Sequence, residues 1–459
     1  MKKVLPWIVY LIFFAVLNET VFNVSTPTIS QQFSLTPSGV SWMMTIFMVF
    51  FGIGSVIYGR LADLFSLKKL IVIGLIIYNA GSVMGFLVQS SYPLVILARA
   101  IQGIGGSAIP ALIFVAVARY FTPDERGKVF GLITSVVSLG IGIGPVIGGF
   151  VSGSLHWSYL FLIPLLMLIA IPFLVKELPD EPRREGRVDI PGAVLVALTV
   201  GLFVVYLNFS QWYYLAGFII LLSIFIYYIL KTPEPFIQPA LFRNIKFRNG
   251  VIVGFSLFSI VIGILFLIPL MLHEVYQLNT RQIGLVLFPG AISAVFFGSY
   301  GGRLADRKGN NFVVRIGLFS LIGSILIMSV FLSASFYIIA FALLLTYIGF
   351  SFIQTAMINS VSQTLQENET GVGMGVFNLV GTISGALGTA LAGKILDGRW
   401  FEFDIFHTVT NPKGYAYSNI LLVFSFVIFL GGILYFYSFK EVKVIEVVNT
   451  KIPPVEIDN

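Results

Sequence analysis

The chain has 459 residues, of which 57% are hydrophobic and only 11% are charged, and its formal net charge is +7. A soluble globular protein carries roughly 25% charged residues, so this composition excludes a soluble enzyme and indicates a chain surrounded by lipid. The absence of Cys excludes disulfides, thiolate metal sites and cysteine nucleophiles.

Apolar runs separated by charge clusters and turn residues predict an all-α membrane protein with fourteen spanning helices, since each span needs about 20 apolar residues. The first run is too long for a signal peptide and lacks a cleavage site, so we expect it to be retained. The predicted spans, numbered 1 to 14, are 5–29, 42–62, 70–90, 92–118, 128–152, 157–175, 190–209, 212–230, 250–273, 282–302, 312–332, 336–360, 371–395 and 417–438.

Positive charge predicts the orientation, because Lys and Arg are retained on the cytoplasmic side. With the N-terminus inside, all but five of the 28 Lys and Arg residues fall on the inner side. Both termini are therefore predicted to be cytoplasmic. The basic loops are interpreted as topology determinants that contact inner-leaflet lipid, not as a nucleic-acid site. The five exceptions are Arg99, Arg281, Lys394, Arg399 and Lys413.

A repeat divides the chain. Residues 59–63 and 302–306 both read Gly-Arg-Leu-Ala-Asp, after spans 2 and 10. Spans 1–6 then correspond to spans 9–14, as in transporters built from parallel repeats around a midplane site. The predicted division is a six-helix bundle (1–176), two inserted helices with their loops (177–249), a second six-helix bundle (250–440) and a cytoplasmic tail (441–459).

Glu19 is the only acidic residue near the middle of a predicted span. Low dielectric favours the neutral form of a carboxyl group. A carboxyl balanced between its two forms can load a proton from one side and release it to the other, and when ionised it can receive a cationic substrate. The alternative is a permanently protonated acid bonded to a neighbouring helix.

Arg99 lies in the first turns of span 4 and keeps its charge in practice. A carboxylate, backbone carbonyls or cavity water must compensate this charge. A cation facing a cavity would favour the ionised form of any acid nearby. The alternative is a structural arginine that snorkels toward the membrane surface.

Span 5 carries Gly140, Gly144 and Gly148 on one helical stripe, and Pro145 can kink the helix. At an interface between the two halves, such a stripe would permit sliding or hinging. Without its place in the repeat, the pattern would indicate ordinary helix packing.

Charges flank both copies of the repeated motif. Charge pairs at the ends of spans 2 and 10 are predicted to hold the outward-facing state and to break in the other state. The alternative is a pair of turns with solvated charges. The residues concerned are Asp63, Lys68, Lys69, Asp306, Arg307 and Lys308.

These motifs resemble the major facilitator superfamily. The repeat at 59–63 is similar to its loop signature, residues 97–105 resemble its Arg-x-x-Gln-Gly-x-Gly element, and residues 140–149 are similar to the glycine-proline motif of its proton antiporters. Fourteen spans, with the segment 239–244 before the ninth, resemble its drug:proton antiporter branch that has two extra helices.

Within that branch, residues 17–27 and the loop 63–69 are most similar to the tetracycline exporters of Gram-positive bacteria, classes K and L. Residues 384–386 (Ser-Gly-Ala) stand where those exporters carry a second buried Glu. The resemblance implies that Glu19 is the coupling acid and that Arg99 assists proton transfer.

The resemblance also implies a proton-coupled efflux antiporter of a bacterial cytoplasmic membrane, exporting tetracycline-like or cationic amphipathic drugs, including drug-metal chelates. We expect a monomer without cofactor, metal site or enzymatic activity. The open alternatives are a monovalent cation (Na⁺ or K⁺)/proton antiporter and a lipid flippase. Polar residues within spans are the predicted substrate contacts: Asn18, Asn23, Gln102, Asn359 and Asn378.

Overall fold

The computed structural model describes residues 3–181, 189–233, 235, 237–366 and 369–439. Within these ranges, fourteen helical stretches are long and apolar enough to cross a membrane, which confirms the predicted all-α membrane fold. The α-helices are α1 (Leu5–Val21), α2 (Thr26–Phe33), α3 (Pro37–Leu64), α4 (Leu67–Leu87), α5 (Tyr92–Gly106), α6 (Ala108–Tyr120), α7 (Pro123–Ser154), α8 (Ile171–Glu177), α9 (Ile190–Phe209), α10 (Trp212–Lys231), α11 (Ile245–Tyr276), α12 (Thr280–Lys308), α13 (Asn310–Val330), α14 (Phe336–Ser362), α15 (Thr370–Asp397) and α16 (Pro412–Ser438).

Three of the spans that the structure describes are not single α-helices. Span 1 consists of α1 and α2 joined by a 3₁₀ turn at Asn23–Ser25, and span 4 consists of α5 and α6. Span 6 begins as a 3₁₀ helix, Trp157–Ala170, and continues as α8. Pro27 lies at the start of α2, and Pro164 lies inside the 3₁₀ helix. A proline removes a backbone donor and clashes with the preceding turn, which explains the loss of regular α-helix there.

The helices before α9 pack mainly on one another, as do those after α10. Contacts between these two bundles run mainly through α3 with α15 and α7 with α12. Both α3 and α12 finish at a copy of the repeated motif. We call the end of the molecule that carries residues 59–63 and 302–306 the motif end, and the other the opposite end. The predicted tail, 441–459, lies outside the described residues.

The two bundles are joined tightly at the opposite end. The Ser38 backbone N–H of α3 donates to Asp397 Oδ2 of α15 over 3.1 Å, and the Ser38 hydroxyl donates to the same oxygen. Farther along the same pair of helices, Thr45 Oγ1 donates to the Ala386 carbonyl over 3.3 Å. A carboxylate from one bundle therefore caps the first turn of a helix in the other, where the helix dipole favours negative charge.

The same helix pair separates toward the motif end. A Cβ atom added to Gly59 of α3 or to Gly375 of α15 would meet no described atom within 4 Å. Near the middle of α3, by contrast, a Cβ on Gly52 would lie 3.2 Å from Thr382 Cβ of α15. The contacts described between α3 and α15 therefore run from the opposite end to the middle, and Gly59 and Gly375 face open space toward the motif end.

The inserted helices lie on the α3–α15 side of the molecule. α9 contacts both α3 and α15, and α10 packs on α9. Among the described residues, α10 has none buried, and its exposed side chains include Trp212, Ile220 and Leu230. An apolar surface of this kind suits lipid contact.

Candidate functional site

Glu19 lies on α1, one helical turn before the interruption of span 1, and its side chain is partly exposed. It interacts electrostatically with Arg99 of α5. Within the described part of the chain, Glu19 forms no hydrogen bond and no ion pair. The carboxyl group is therefore available to a proton or a ligand. Among the described residues, the only fixed charge near it is the guanidinium of Arg99.

The Arg99 side chain is fully buried. Its guanidinium carbon lies 4.6 Å from the ring centre of Phe22 and 4.1 Å from that of Phe47. Its Nε donates to the Met43 carbonyl over 3.1 Å, and its Nη1 donates to Gln102 Oε1 over 3.0 Å. Two aromatic faces, a carbonyl and an amide thus hold the cation in one orientation.

Gln102 continues this network. Its Nε2 donates to Ser82 Oγ over 2.8 Å, and the Ser82 hydroxyl donates to the Tyr78 carbonyl over 3.0 Å. Gln102 is fully buried and both ends of its amide are occupied. In this structure it orients Arg99, and its predicted contact with substrate stays a prediction.

Asn18 and Tyr78 complete the polar interior of the first bundle. Both side chains are fully buried, and the Tyr78 hydroxyl lies beside the Asn18 amide, within electrostatic range of Arg99 and Glu19. Apart from their side-chain contact with each other, neither the Asn18 amide atoms nor the Tyr78 hydroxyl has a hydrogen-bond partner among the described residues. The same holds for Nη2 of Arg99. Four buried polar atoms of Asn18, Tyr78 and Arg99 therefore have no described partner outside this group, and Tyr78 and Arg99 lie within electrostatic range of Glu19.

The other predicted substrate contacts lie elsewhere. Asn23 is partly exposed in the 3₁₀ turn of span 1, and Asn378 is exposed on α15. Asn359 of α14 donates to Asn310 Oδ1 over 2.9 Å and lines a pocket of about 690 Å³ at the motif end of the second bundle. The structure does not gather the five predicted contacts into one site, and their substrate role stays a prediction.

The predicted glycine stripe of α7 faces α1 of its own bundle. Gly140 approaches Val16, Gly144 approaches Thr20, and Gly148 approaches the Val21 carbonyl. The expected close approach of two helices is present. The expected location at an interface between the halves is wrong for this stripe, because spacing on one helix does not reveal which neighbour lies opposite.

A second set of glycines on α7 forms the interface between the bundles. A Cβ on Gly142 would lie 3.1 Å from the Ala291 carbonyl of α12, and one on Gly149 would lie 2.8 Å from the Thr280 carbonyl. A Cβ on Gly284 of α12 would lie 2.5 Å from the carbonyl of Pro145. Pro145 is therefore at the contact between halves, and its gating role stays a prediction.

At the motif end, two of the predicted charges pair with residues outside the repeated motif. Lys68 Nζ lies 2.9 Å from Asp180 Oδ1, and Arg119 of α6 lies 3.9 Å from Asp63. In the second copy of the motif, Asp306 and Arg307 are exposed, as is Lys69 in the first. None of these three forms an ion pair with a described residue. The gating role of the motif stays a prediction.

Glu181 is the main partner of Arg119. Arg119 Nη1 donates to both Glu181 carboxylate oxygens over 3.1 Å, and the Leu67 backbone N–H at the start of α4 donates to Oε2 over 3.2 Å. Partial burial acts to raise the pKa of Glu181, but the nearby Tyr120 hydroxyl and the hydrogen bonds from Leu67 and Arg119 outweigh it and lower the pKa below its usual value. The start of the inserted segment is thus tied to the first bundle.

Sequence reasoning did not single out Tyr78, Glu181 or Asp397. Tyr78 is one of 19 tyrosines, and no spacing distinguishes it. Glu181 and Asp397 follow the ends of spans, where acidic residues are ordinary. Their partners are distant in the sequence, so only the packed fold reveals them.

Comparisons with known proteins assign the family. Residues 8–389 match the model of the Major Facilitator Superfamily. The riboflavin transporter RibZ of Clostridioides difficile (strain 630) is 26% identical over 447 residues, which cover 93% of this chain and 96% of the relative. The multidrug transporter protein MdtP of Bacillus subtilis (strain 168) is 24% identical over 401 residues, which cover 84% of this chain and 74% of the relative.

A solved structure supports the fold. A bacterial homologue of the human lysosomal transporter Spinster, in an inward-facing and unoccupied conformation, has a TM-score of 0.67 at 14% identity and covers 95% of this chain and 96% of its own. Because one family model covers most of the chain and fourteen described helices can span a membrane, the protein is a multi-pass bacterial membrane transporter, not an enzyme, and belongs to the Major Facilitator Superfamily.

Proposed function

We propose that the protein is a proton-coupled antiporter that exports cationic amphipathic or tetracycline-like drugs by alternating access. The observation that carries the proposal is Glu19, a partly exposed mid-span carboxyl beside the fixed Arg99 guanidinium. Intramembrane acids of this kind are functional by default. The multidrug relative MdtP supports the drug class.

The distribution of Lys and Arg supports a cytoplasmic motif end. On that assignment, the packed opposite end faces outward and the bundles diverge toward the cytoplasm. The structure then corresponds to the inward-facing arrangement, in which ionised Glu19 receives a cationic drug from inside. After the bundles rock, a proton from outside displaces the drug.

Energy conversion needs no catalytic chemistry. Exchange of one proton for one monovalent cation is electroneutral, so each pH unit across the membrane supplies about 1.36 kcal/mol and sustains about a tenfold drug gradient. The fixed charge of Arg99 lies within electrostatic range of Glu19.

Replacement of Glu19 by Gln tests the proposal. In vesicles with an imposed pH gradient, Glu19→Gln should abolish uphill drug transport and drug-induced proton movement while expression stays normal, because Gln cannot ionise. The matched control is Glu402→Gln, an exposed loop residue paired with Arg399 over 3.6 Å. Full pumping by Glu19→Gln would show that the acid is structural.

Transport of riboflavin is a second candidate, favoured by the relative RibZ, whose match spans nearly the whole of both chains. The same vesicles separate these functions. Saturable riboflavin movement that a drug cannot compete for would support riboflavin as the substrate.

Recovery of a pH-gradient probe on adding Na⁺ or K⁺ without drug would support a monovalent cation/proton antiporter.

A further inference from the structure

Apart from the side-chain contact between Asn18 and Tyr78, four polar atoms in the first bundle are buried without a partner among the described residues: Asn18 Oδ1 and Nδ2, the Tyr78 hydroxyl and Nη2 of Arg99. All three side chains are fully buried. Two of these atoms donate, one accepts and one does both. The set is therefore complementary to a small molecule that both donates and accepts.

These atoms come from three helices of the first bundle. Asn18 lies on α1, Tyr78 on α4 and Arg99 on α5. The remaining polar atoms of the guanidinium are directed elsewhere, Nε to the Met43 carbonyl and Nη1 to Gln102. Nη2 is thus left without a described partner, on a guanidinium within electrostatic range of Tyr78 and Glu19. The packing that fixes Arg99 also fixes the direction of this donor.

Buried polar groups without partners are costly, and buried water commonly satisfies them with about three hydrogen bonds per molecule. We propose that Asn18, Tyr78 and Arg99 hold a buried water site that carries the proton to and from Glu19, with Tyr78 and Asn18 as positioning residues. This inference rests on the proposed antiport. It gives Asn18 a role away from the drug, which its complete burial favours.

The proposed water site predicts different effects on two activities that transport assays can measure, uphill transport and drug-for-drug exchange. Uphill transport requires Glu19 to exchange its proton in every cycle. Drug-for-drug exchange across the membrane requires the bundles to rock with drug bound, but it requires no proton transfer. A water site that serves the proton should therefore affect the first activity and spare the second.

Tyr78→Phe and Asn18→Leu test the site, with Tyr347→Phe, a buried tyrosine of the second bundle, as the matched control. Each test variant should lower proton-driven drug transport about tenfold, leave drug exchange unchanged and raise the ratio of rates in H₂O and D₂O. The double variant should be no slower than the worse single variant, because both act on the same water. Tyr347→Phe should retain both activities.

The results of these assays distinguish a water site from a structural role of the same residues. Equal loss of both activities, or additive losses in the double variant, would overturn the water site in favour of a structural role. Normal proton-driven transport by both single variants would overturn it as well. Absence of uphill transport by the wild-type protein would overturn the proposed antiport and, with it, this inference.

Discussion

The two bundles share their helix packing but differ in the chemistry of their interiors. In the first bundle, Gly105 packs against the Gly74 carbonyl and the Tyr78 backbone nitrogen. In the second, Gly349 packs in the same way against the Gly317 carbonyl and the Leu321 backbone nitrogen. Tyr78 and Leu321 are therefore equivalent positions.

The equivalence extends to the guanidinium. Arg99 precedes Gly105 by the same number of residues as Leu343 precedes Gly349, and Leu343 is fully buried. The first bundle thus holds a cation where the second holds an aliphatic side chain. The glycine contact preserves the close approach of two helices, whereas the neighbouring side chains decide whether a bundle carries charge.

The largest effect is expected when this difference is removed by placing charge in the second bundle. Leu343→Arg would bury a cation without the aromatic and amide partners that hold Arg99. We expect a loss of about 3–5 kcal/mol in stability, measured as poor accumulation or a lower unfolding temperature in detergent. Leu343→Met, which conserves volume, should cost less than about 1.5 kcal/mol. Normal stability of Leu343→Arg would show that the two interiors are equivalent.

Within the first bundle, Arg99→Lys asks whether charge alone suffices. Lysine keeps the charge but cannot reproduce the two directed bonds, 3.1 Å to the Met43 carbonyl and 3.0 Å to Gln102 Oε1. We expect proton-driven transport to fall about tenfold to a hundredfold, since each bond to a charged group contributes about 1.5–3 kcal/mol. The control is Arg315→Lys, which keeps its cation near the Phe436 ring. Unchanged transport would mean that the orientation of the charge is unimportant.

The junction of the two bundles gives a smaller effect. Asp397→Asn removes the charge that caps α3 through Ser38, and it should favour opening at the opposite end. Because the chain has no Cys, a single Thr45→Cys substitution reports on that opening. We expect labelling by a membrane-impermeant maleimide to accelerate about threefold to tenfold. Asp404→Asn, in an exposed loop, should not alter the rate. An unchanged rate in Asp397→Asn would contradict the role of the Ser38–Asp397 contact in keeping the opposite end closed.

The smallest effect concerns the motif end, where Arg119 is paired in the first bundle. Glu181→Gln should cost about 1 kcal/mol of stability at pH 7. Because the folded pKa of Glu181 is lowered from 4.5, its contribution is present above that pH and is lost as the pH falls through the lowered value. Unfolding temperatures of the two proteins should therefore differ at pH 7 and converge in acid. A difference that persists in strong acid would assign the effect to packing.

The fold was largely predictable because membrane spans are a local property. Every predicted span overlaps a described membrane helix, since about 20 apolar residues must become helical in lipid. The interruptions at Asn23–Ser25 and along Trp157–Ala170 were not predicted. Prolines mark them only weakly, because neighbouring helices decide whether a proline kinks a span or ends it.

The candidate site was predictable only in part. Glu19 and Arg99 are conspicuous because charge within a span is rare. Asn18 and Gln102 were predicted as substrate contacts, whereas the structure buries both beside Arg99. Burial depends on which face of each helix meets its neighbours, and sequence spacing leaves that choice open.

Composition and local pattern alone establish that lipid surrounds the chain, how many spans it has, that a motif is repeated, and which two charges a bilayer makes costly. Only the tertiary structure decided that Arg99 is held between two aromatic rings, that Tyr78 stands next to Asn18, and that Asp397 reaches across to Ser38. Such contacts join residues far apart in the chain, and their geometry exists only once the helices are packed together.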